Sequence, residues 1–525
     1  MKLYRSFMTV GGLTMISRVL GFIRDISIAA VLGTGVVADA FFVAFRFPNL
    51  FRRLFGEGAF NAAFVPLFSK ELEANGKSSA RVFAEEALSV LLTTLLVLTA
   101  VAEIAMPWLM YAIAPGFADT PDKYDLSVLL TRIAFPYLLC MSLVALLSGL
   151  LNALDKFAAA AAAPIVLNLV LISSIGIAAL LGAGNTPAAG IILAIGVTIA
   201  GILQLVVLAR AASKSNMRLS LKLPRMTPGV KKLIKLGIPG VIAGGITQVN
   251  LLIGTIIASL QDSAVSYLYY ADRIYQLPLG VVGIAIGVVL LPDISKKLRA
   301  GNMDEVHMSQ NRSLEFALML TLPASIALFV IPMPIIQVLF ERGAFSFEDT
   351  NATAFALSAF AWGLPAFVLI KVFSPAYFAR EDTKTPMRFA GVSMVVNVAL
   401  SLGLFYLFKS YGIMPHIGIA IATTVAGWVN AVLLWTTLAR NGQFKFDARL
   451  KRNLPLILLA SLIMGACVWY GADWGADYLK AQNGLLVQVS ALGLLVGLGV
   501  LIFGLAVQIL GIAHLPSLLR GKLAK

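Results

Sequence analysis

The chain of 525 residues is 59% hydrophobic and only 13% charged, with a mean hydropathy of +0.89 and a formal net charge of +15. Soluble domains carry roughly a quarter charged residues, so this composition leaves no plausible water-facing surface and excludes an ordinary soluble enzyme. Both cysteines, Cys140 and Cys467, lie in apolar runs and read as small core residues, which excludes a disulfide framework.

Apolar runs of about 20 residues, the length a helix needs to cross the hydrocarbon core, recur along the whole chain. They fall near 8–32, 37–68, 87–112, 126–151, 158–182, 188–210 and 234–260, then 266–295, 313–340, 350–378, 387–408, 414–439, 454–474 and 486–512. The expected fold is an all-α polytopic membrane protein of about fourteen transmembrane helices. The first run leads directly into Arg18 and Arg24 with no small-residue cleavage site after it, so a retained span is expected rather than a signal peptide. The second run is long, ~48 Å at 1.5 Å per residue, and must tilt, bend or protrude, with Pro48–Asn49 the expected bend.

Lys and Arg alternate between loops as topology requires. With the N-terminus inside, the inner segments collect Lys70, Lys77 and Arg81, the run from Arg210 to Lys235, Lys296, Lys297 and Arg299, the run from Arg440 to Arg452, and Arg520 to Lys525. The outer loops hold only Lys123, Arg342, Lys409 and Lys480. Both termini are therefore expected in the cytoplasm, and the positive charge needs no nucleic acid to explain it. The basic loop around GVKKLIKLG either rests on anionic headgroups or serves as an orientation signal alone.

The chain also repeats itself. VPLFSKEL at 65–72 matches LPDISKKL at 291–298; Phe135-Pro136 matches Leu364-Pro365, and Asn168 matches Asn397, all in order and at nearly one offset. Two six-helix lobes related by a pseudo-twofold axis along the membrane normal follow: 1–212 for spans one to six and 234–440 for spans seven to twelve. A basic cytoplasmic linker, either interfacial or an orientation signal alone, is expected at 213–233. Spans thirteen and fourteen, with the tail, make an added element at 441–525.

The ionisable residues inside the spans are the functional signal. Ser17 to Lys70 holds Arg18, Arg24, Arg46, Arg52 and Arg53 against Asp25, Asp39 and Glu57. A charge at the bilayer centre costs ~3 kcal/mol on insertion scales, so such groups face a wet interior and perform a task. Arg18 and Arg52 each lie ~15–24 Å along their helices from the entry point, and Arg273 in YYADRIY is the second lobe's counterpart, so both lobes are expected to line one central cavity. Arg18 and Asp25, seven apart, share a helix face, and Arg53 and Glu57, four apart, can pair; Asp25 and Glu57 then serve as orienting partners. Lys371 lies deep in the tenth span or snorkels to the inner face. Arg132 and Glu315 sit near span ends and are expected at the interface. Arginine forks grip phosphate oxygens in pairs at any physiological pH, which suits a diphosphate headgroup without a metal.

The segments SRVLGFIRD, DAFFVAFRFPNLFRRLFGEGAF with the following FVPLF, APGF at 114–117, YYADR at 269–273 and LLPDISK resemble the MurJ (MviN) family of lipid II flippases, in the multidrug, oligosaccharidyl-lipid and polysaccharide (MOP) exporter superfamily. The resemblance runs over nearly the whole chain and is densest in the first 120 residues. It implies a bacterial inner-membrane transporter that carries the undecaprenyl-diphosphate-linked peptidoglycan precursor to the periplasmic leaflet by alternating access. The family's cavity arginines match Arg18, Arg24, Arg52 and Arg273; Ser17, Asp25, Asp39, Asn49, Arg53, Glu57, Asp272 and Lys371 stand as supporting or gating residues. The family's last two helices line a groove for the polyprenyl tail. Expected partners are lipid II, membrane lipids and cell-wall synthesis proteins, with the protein a monomer; no cofactor is expected, and the drive is the membrane potential or an ion gradient.

Other classes fare worse. No GxxxxGK[ST] phosphate loop is present, and His307, His416 and His514 fall in loops or at span ends, against a His metal site or a buried His relay. GVVGIAIG at 280–287 follows no strand and reads as helix packing. A membrane glycosyltransferase would have only DTPDKYD at 119–125 as an acidic loop motif. The remaining alternatives are a flippase for another polyprenyl-diphosphate glycan, a cation-coupled multidrug exporter, which the arginine excess disfavours, and a non-transporting scaffold.

Overall fold

The computed structural model describes residues 2–52, 60–480 and 482–512. Among these there is no strand, and the chain is an all-α polytopic membrane protein. Among the described residues, ten helices or broken helix pairs are long and apolar enough to cross a membrane. α1 (Lys2–Leu32) is long enough too, but its centre holds Arg18, Arg24 and Asp25.

The chain divides into two compact units, Met1–Ser266 with Gly343–Phe345, and Tyr267–Arg342 with Ser346–Lys525. In the first, α1 is followed by α2 (Val36–Arg52) and the long α3 (Phe60–Ile113), which is kinked at Gly76, where φ is +76°. A 3-10 turn (Pro115–Asp119) leads into α4 (Pro121–Ala134), α5 (Tyr137–Ala153), α6 (Phe157–Leu180), α7 (Pro187–Lys214) and α8 (Pro228–Ala258). α1 packs along α6, α6 along α7, α2 on α4, and α8, the first span of the expected second lobe, on α3. Small residues let α7 also approach α5 and α4: a Cβ on Gly201 would lie 2.8 Å from the Tyr137 ring, and one on Gly190 3.0 Å from Leu130. The expected bend at Pro48 does not end the helix, because α2 continues helically through it to Arg52.

The second unit holds α9 (Ala264–Arg299) from Tyr267 on, α10 (Met303–Val330), the short α11 (Pro332–Phe340), α12 (Phe347–Ala361), α13 (Leu364–Phe378), α14 (Lys384–Ser410), α15 (His416–Arg440), α16 (Ala448–Trp474), α17 (Ala476–Leu479) and α18 (Leu485–Ile509). Leu290 and Ile294 of α9, Leu314 and Leu318 of α10, Phe373 of α13 and Leu434 of α15 meet in its core.

The repeat is visible in how spans break. The fourth span is two helices, α4 and α5, separated at Phe135-Pro136; the tenth is α12 and α13, separated just before Leu364-Pro365. Proline lacks the N–H that would continue the ladder, so the same break recurs at the matched positions. Asn168 in α6 and Asn397 in α14, the other matched pair, are both buried.

Two expectations about charged residues need correction. Lys123, expected in an outer loop, is 1% exposed on the first turn of α4. Glu315, expected at the interface, is buried; its carboxylate accepts from Asn453 at 2.7 Å and Arg449 at 3.3 Å and pairs with Arg312, joining α10 to the start of α16. Carboxylates of this kind resist burial until several donors surround them, and donors far away in sequence give no local signal. His416 begins α15, at a span end as expected, and is fully buried there, with Nε2 3.0 Å from the Ala352 carbonyl and its ring beside Tyr267.

The α7–α8 connection is strapped to α3. Ser220 donates from N and Oγ to Glu85 at 3.0 and 2.7 Å, Lys222 Nζ lies 2.7 Å from the same carboxylate, and Thr227 donates to Glu86 at 2.8 Å.

Candidate functional site

α1 places Arg18 and Arg24 on one helix, but the two differ in environment. Arg18 is exposed, whereas Arg24 is 7% exposed. Asp25, expected to share a face with Arg18, instead lies against Arg24: Nη2 and Nε of Arg24 donate to Asp25 Oδ1 at 2.7 and 3.0 Å. Arg24 Nη1 donates to Asn168 Oδ1 at 2.9 Å, and Asn168 Nδ2 donates to the Ser17 carbonyl at 2.9 Å, so Asn168 on α6 bridges two turns of α1. The Phe45 ring lies 5.8 Å from the Arg24 guanidinium. A side chain held this way is oriented before any ligand arrives.

On α2, Arg46 donates to Thr255 Oγ1 of α8 at 2.6 Å, and Asn49 Nδ2 donates to the Phe45 carbonyl at 2.9 Å. Arg52 ends α2, with its side chain outside the described residues; Arg53 and Glu57, with the pairing expected of them, lie outside those residues altogether.

Asp39 is fully buried. Its carboxylate accepts from Lys123 Nζ at 2.8 Å, Ser263 N at 3.0 Å, Ser266 N at 2.9 Å and Ser266 Oγ at 2.6 Å. Lys123 also lies 3.1 Å from the exposed Asp262 and 4.4 Å from the centre of the Phe117 ring. Charge is compensated on both sides, as a buried pair requires. This knot joins α2, α4 and the α8–α9 connection. Close backbone contacts surround it. Gly33 has φ +61° and a Cβ there would meet the Ala344 carbonyl at 2.3 Å, while one on Gly343 would meet Ala30 O at 2.1 Å. Gly116 N donates to Ser259 Oγ at 3.2 Å. Lys123 was the residue missed in the sequence; its placement two residues after Pro121, inside the first turn of a helix, was the available hint.

In the second unit Arg273 donates to the Tyr269 hydroxyl at 3.1 Å, its guanidinium 4.5 Å from the centre of that ring. Asp272 accepts from Gln276 one turn on. Lys371 on α13 is exposed. Between α16, α17 and α18 lies an apolar cavity of about 650 Å³ walled by Gly471, Trp474, Tyr478, Leu486, Leu494 and Leu498. Among the described residues no cluster of His, Cys, Asp and Glu could hold a metal.

Comparison with known proteins places this arrangement. The family model described as lipid II flippase MurJ matches residues 28–481. A probable lipid II flippase MurJ of Rhizobium meliloti (strain 1021) is 50% identical over 513 residues, covering 97% of this chain and 95% of that protein. A solved lipid II flippase MurJ in an inward closed conformation aligns with a TM-score of 0.78 at 25% identity, over 96% of this chain and 98% of that one. An inward-facing multidrug MATE transporter of the MOP superfamily aligns with a TM-score of 0.63 at 13% identity, over 83% of this chain and 98% of that one, a likeness of fold alone. The chain belongs to the MurJ family of lipid II flippases.

Proposed function

We propose that the chain carries lipid II from the cytoplasmic to the periplasmic leaflet by alternating access, with both termini cytoplasmic, as a monomer and without a cofactor. As a member of its family it is a multi-pass protein of the bacterial inner membrane, a transporter and not an enzyme. Arg18, Arg24, Arg52 and Arg273 bind the diphosphate, and the membrane potential or an ion gradient resets the carrier. One charge crossing 100 mV is worth ~2.3 kcal/mol, enough to bias such a cycle. Cell-wall synthesis proteins are the expected partners.

The observation that carries the reading is the contrast along α1: Arg24 is neutralised by Asp25, and Arg18, one and a half turns away, is exposed. A guanidinium presented from a membrane helix matches a phosphate fork and has little use in a scaffold. The apolar cavity between α16 and α18 supports a polyprenyl tail there. Asp39 and Lys123, tied to the α8–α9 connection, suit a gate at the periplasmic end.

The test is the leaflet location of lipid II in cells depleted of the protein, read by an external enzyme that cleaves the exposed headgroup. Cleavage falls on depletion and returns with the wild-type chain but not with Arg18→Ala. Undiminished cleavage on depletion, or rescue by Arg18→Ala, overturns the assignment.

A further inference from the structure

In the second unit, where α10 begins, α13 ends and the α15–α16 connection passes, polar atoms collect out of water. Gln310 is 2% exposed, and its amide has no well-aligned partner beyond the His307 ring one turn before it. From the end of α13, Arg380 Nη2 is buried without a hydrogen-bond partner. Arg380 Nη1 is fixed by the Ala376 carbonyl at 2.7 Å, which aims the rest of the fork. Asn311 Nδ2 holds the Lys445 carbonyl at 2.8 Å, keeping Lys445 alongside α10. Lys445 and Arg380 both bear electrostatically on His307, and Asp304 is the acid that opposes them. A buried donor left unpaired is destabilising, and phosphate oxygens are the acceptors that match a guanidinium and an amide together.

The faces carrying these groups run on into an apolar cavity of about 340 Å³. Leu314 lies one turn beyond Gln310 on α10, Phe373 two turns before Arg380, and Phe446 next to Lys445; all three line it. Leu454 and Leu458 of α16 form its lip at 37% and 44% exposure, so in a membrane-spanning chain it opens to acyl chains. In its wall Trp435 Nε1 is a buried donor without a partner, suited to an ester carbonyl.

We propose that this is a binding site for an anionic phospholipid, its phosphate on Arg380 and Gln310 with Lys445 at the rim, and one acyl chain in the cavity. It shares no lining residue with the cavity between α16 and α18. The site takes a bilayer lipid as a resident ligand and does not depend on what the protein transports.

The test is native mass spectrometry and thermal melting of the full chain in detergent, titrated with phosphatidylglycerol, with phosphatidylcholine of the same chains, and with inorganic phosphate. Phosphatidylglycerol is retained and raises the melting temperature at concentrations ~10-fold or more below phosphatidylcholine. Arg380→Met and Gln310→Met each weaken it ~10-fold, and Leu458→Trp, which fills the cavity, weakens both lipids. Equal binding of the two lipids, or undiminished phosphatidylglycerol binding by both polar variants, overturns the proposal. Stabilisation by inorganic phosphate equal to that by phosphatidylglycerol reduces the site to a free-anion site and overturns the lipid assignment. Should the Met variants fail to fold, Lys445→Ala at the exposed rim must still weaken phosphatidylglycerol several-fold; unchanged binding refutes the site.

Discussion

Asp39 and Lys123, 84 residues apart in sequence, lie 2.8 Å apart with both side chains out of water. Removing one partner leaves an uncompensated buried charge, at a cost of ~3–5 kcal/mol. Asp39→Ala and Lys123→Met should each lower the melting temperature strongly. The double variant should lose clearly less than the sum, as a double-mutant cycle would read; additive losses would show that the pair is not coupled.

Arg18 and Arg24 of α1 should separate stability from transport. Arg24→Ala strands Asp25 and breaks the Asn168 bridge, so it should destabilise the protein by roughly 2–4 kcal/mol and lose transport with it. Arg18→Ala removes an exposed group and should abolish lipid II translocation while melting within about 0.5 kcal/mol of wild type. Melting in detergent alongside the leaflet assay distinguishes them; an unstable Arg18→Ala would contradict this division.

Gly33→Ala and Gly343→Ala should both be destabilising, because each adds a Cβ within 2.3 Å of a backbone carbonyl at a positive φ. Neither carbonyl belongs to a side chain that can swing away. Losses of ~2–4 kcal/mol are expected, against only the backbone strain of ~1 kcal/mol for Gly182→Ala, where φ is also positive but nothing lies within 4 Å.

Acid should loosen the α13–α14 turn. The Thr385 backbone N–H, bonded at 3.0 Å, holds the Asp382 carboxyl below its usual range. A depressed folded pKa contributes stability above the unfolded value near 4 that is lost as pH falls through the folded one. Hydrogen exchange at Thr385 should accelerate over that acid range in the wild type, and Asp382→Asn should flatten the dependence.

The fold was legible because apolar run length and loop charge report the same topology, and the broken spans at Phe135-Pro136 and Leu364-Pro365 carry their cause in the sequence. The site was legible in residue type and less so in pairing. Asp25 was matched to Arg18 by helical spacing, but an adjacent arginine bent back and took it, with Asn168 from 144 residues away completing the arrangement. Lys123 and Glu315 were misplaced for a related reason: a charge near a span end looks interfacial until distant partners, Asp39 for one and Arg449 and Asn453 for the other, draw it inward.

The strap over α3 sets a leash length. Residues 215–227, running loose, could reach roughly 40 Å at ~3.4 Å per residue, yet Ser220, Lys222 and Thr227 are anchored to Glu85, Ser89 and Glu86. α8, which begins at Pro228, is therefore tethered to α3 at its own N-cap, whatever the contour of the whole connection. Glu86→Ala, which releases Thr227 and leaves Lys222 as the last anchor, lengthens that tether without adding a residue, whereas a Gly-Ser insertion between Asn216 and Met217 adds residues and leaves the tether as short as before.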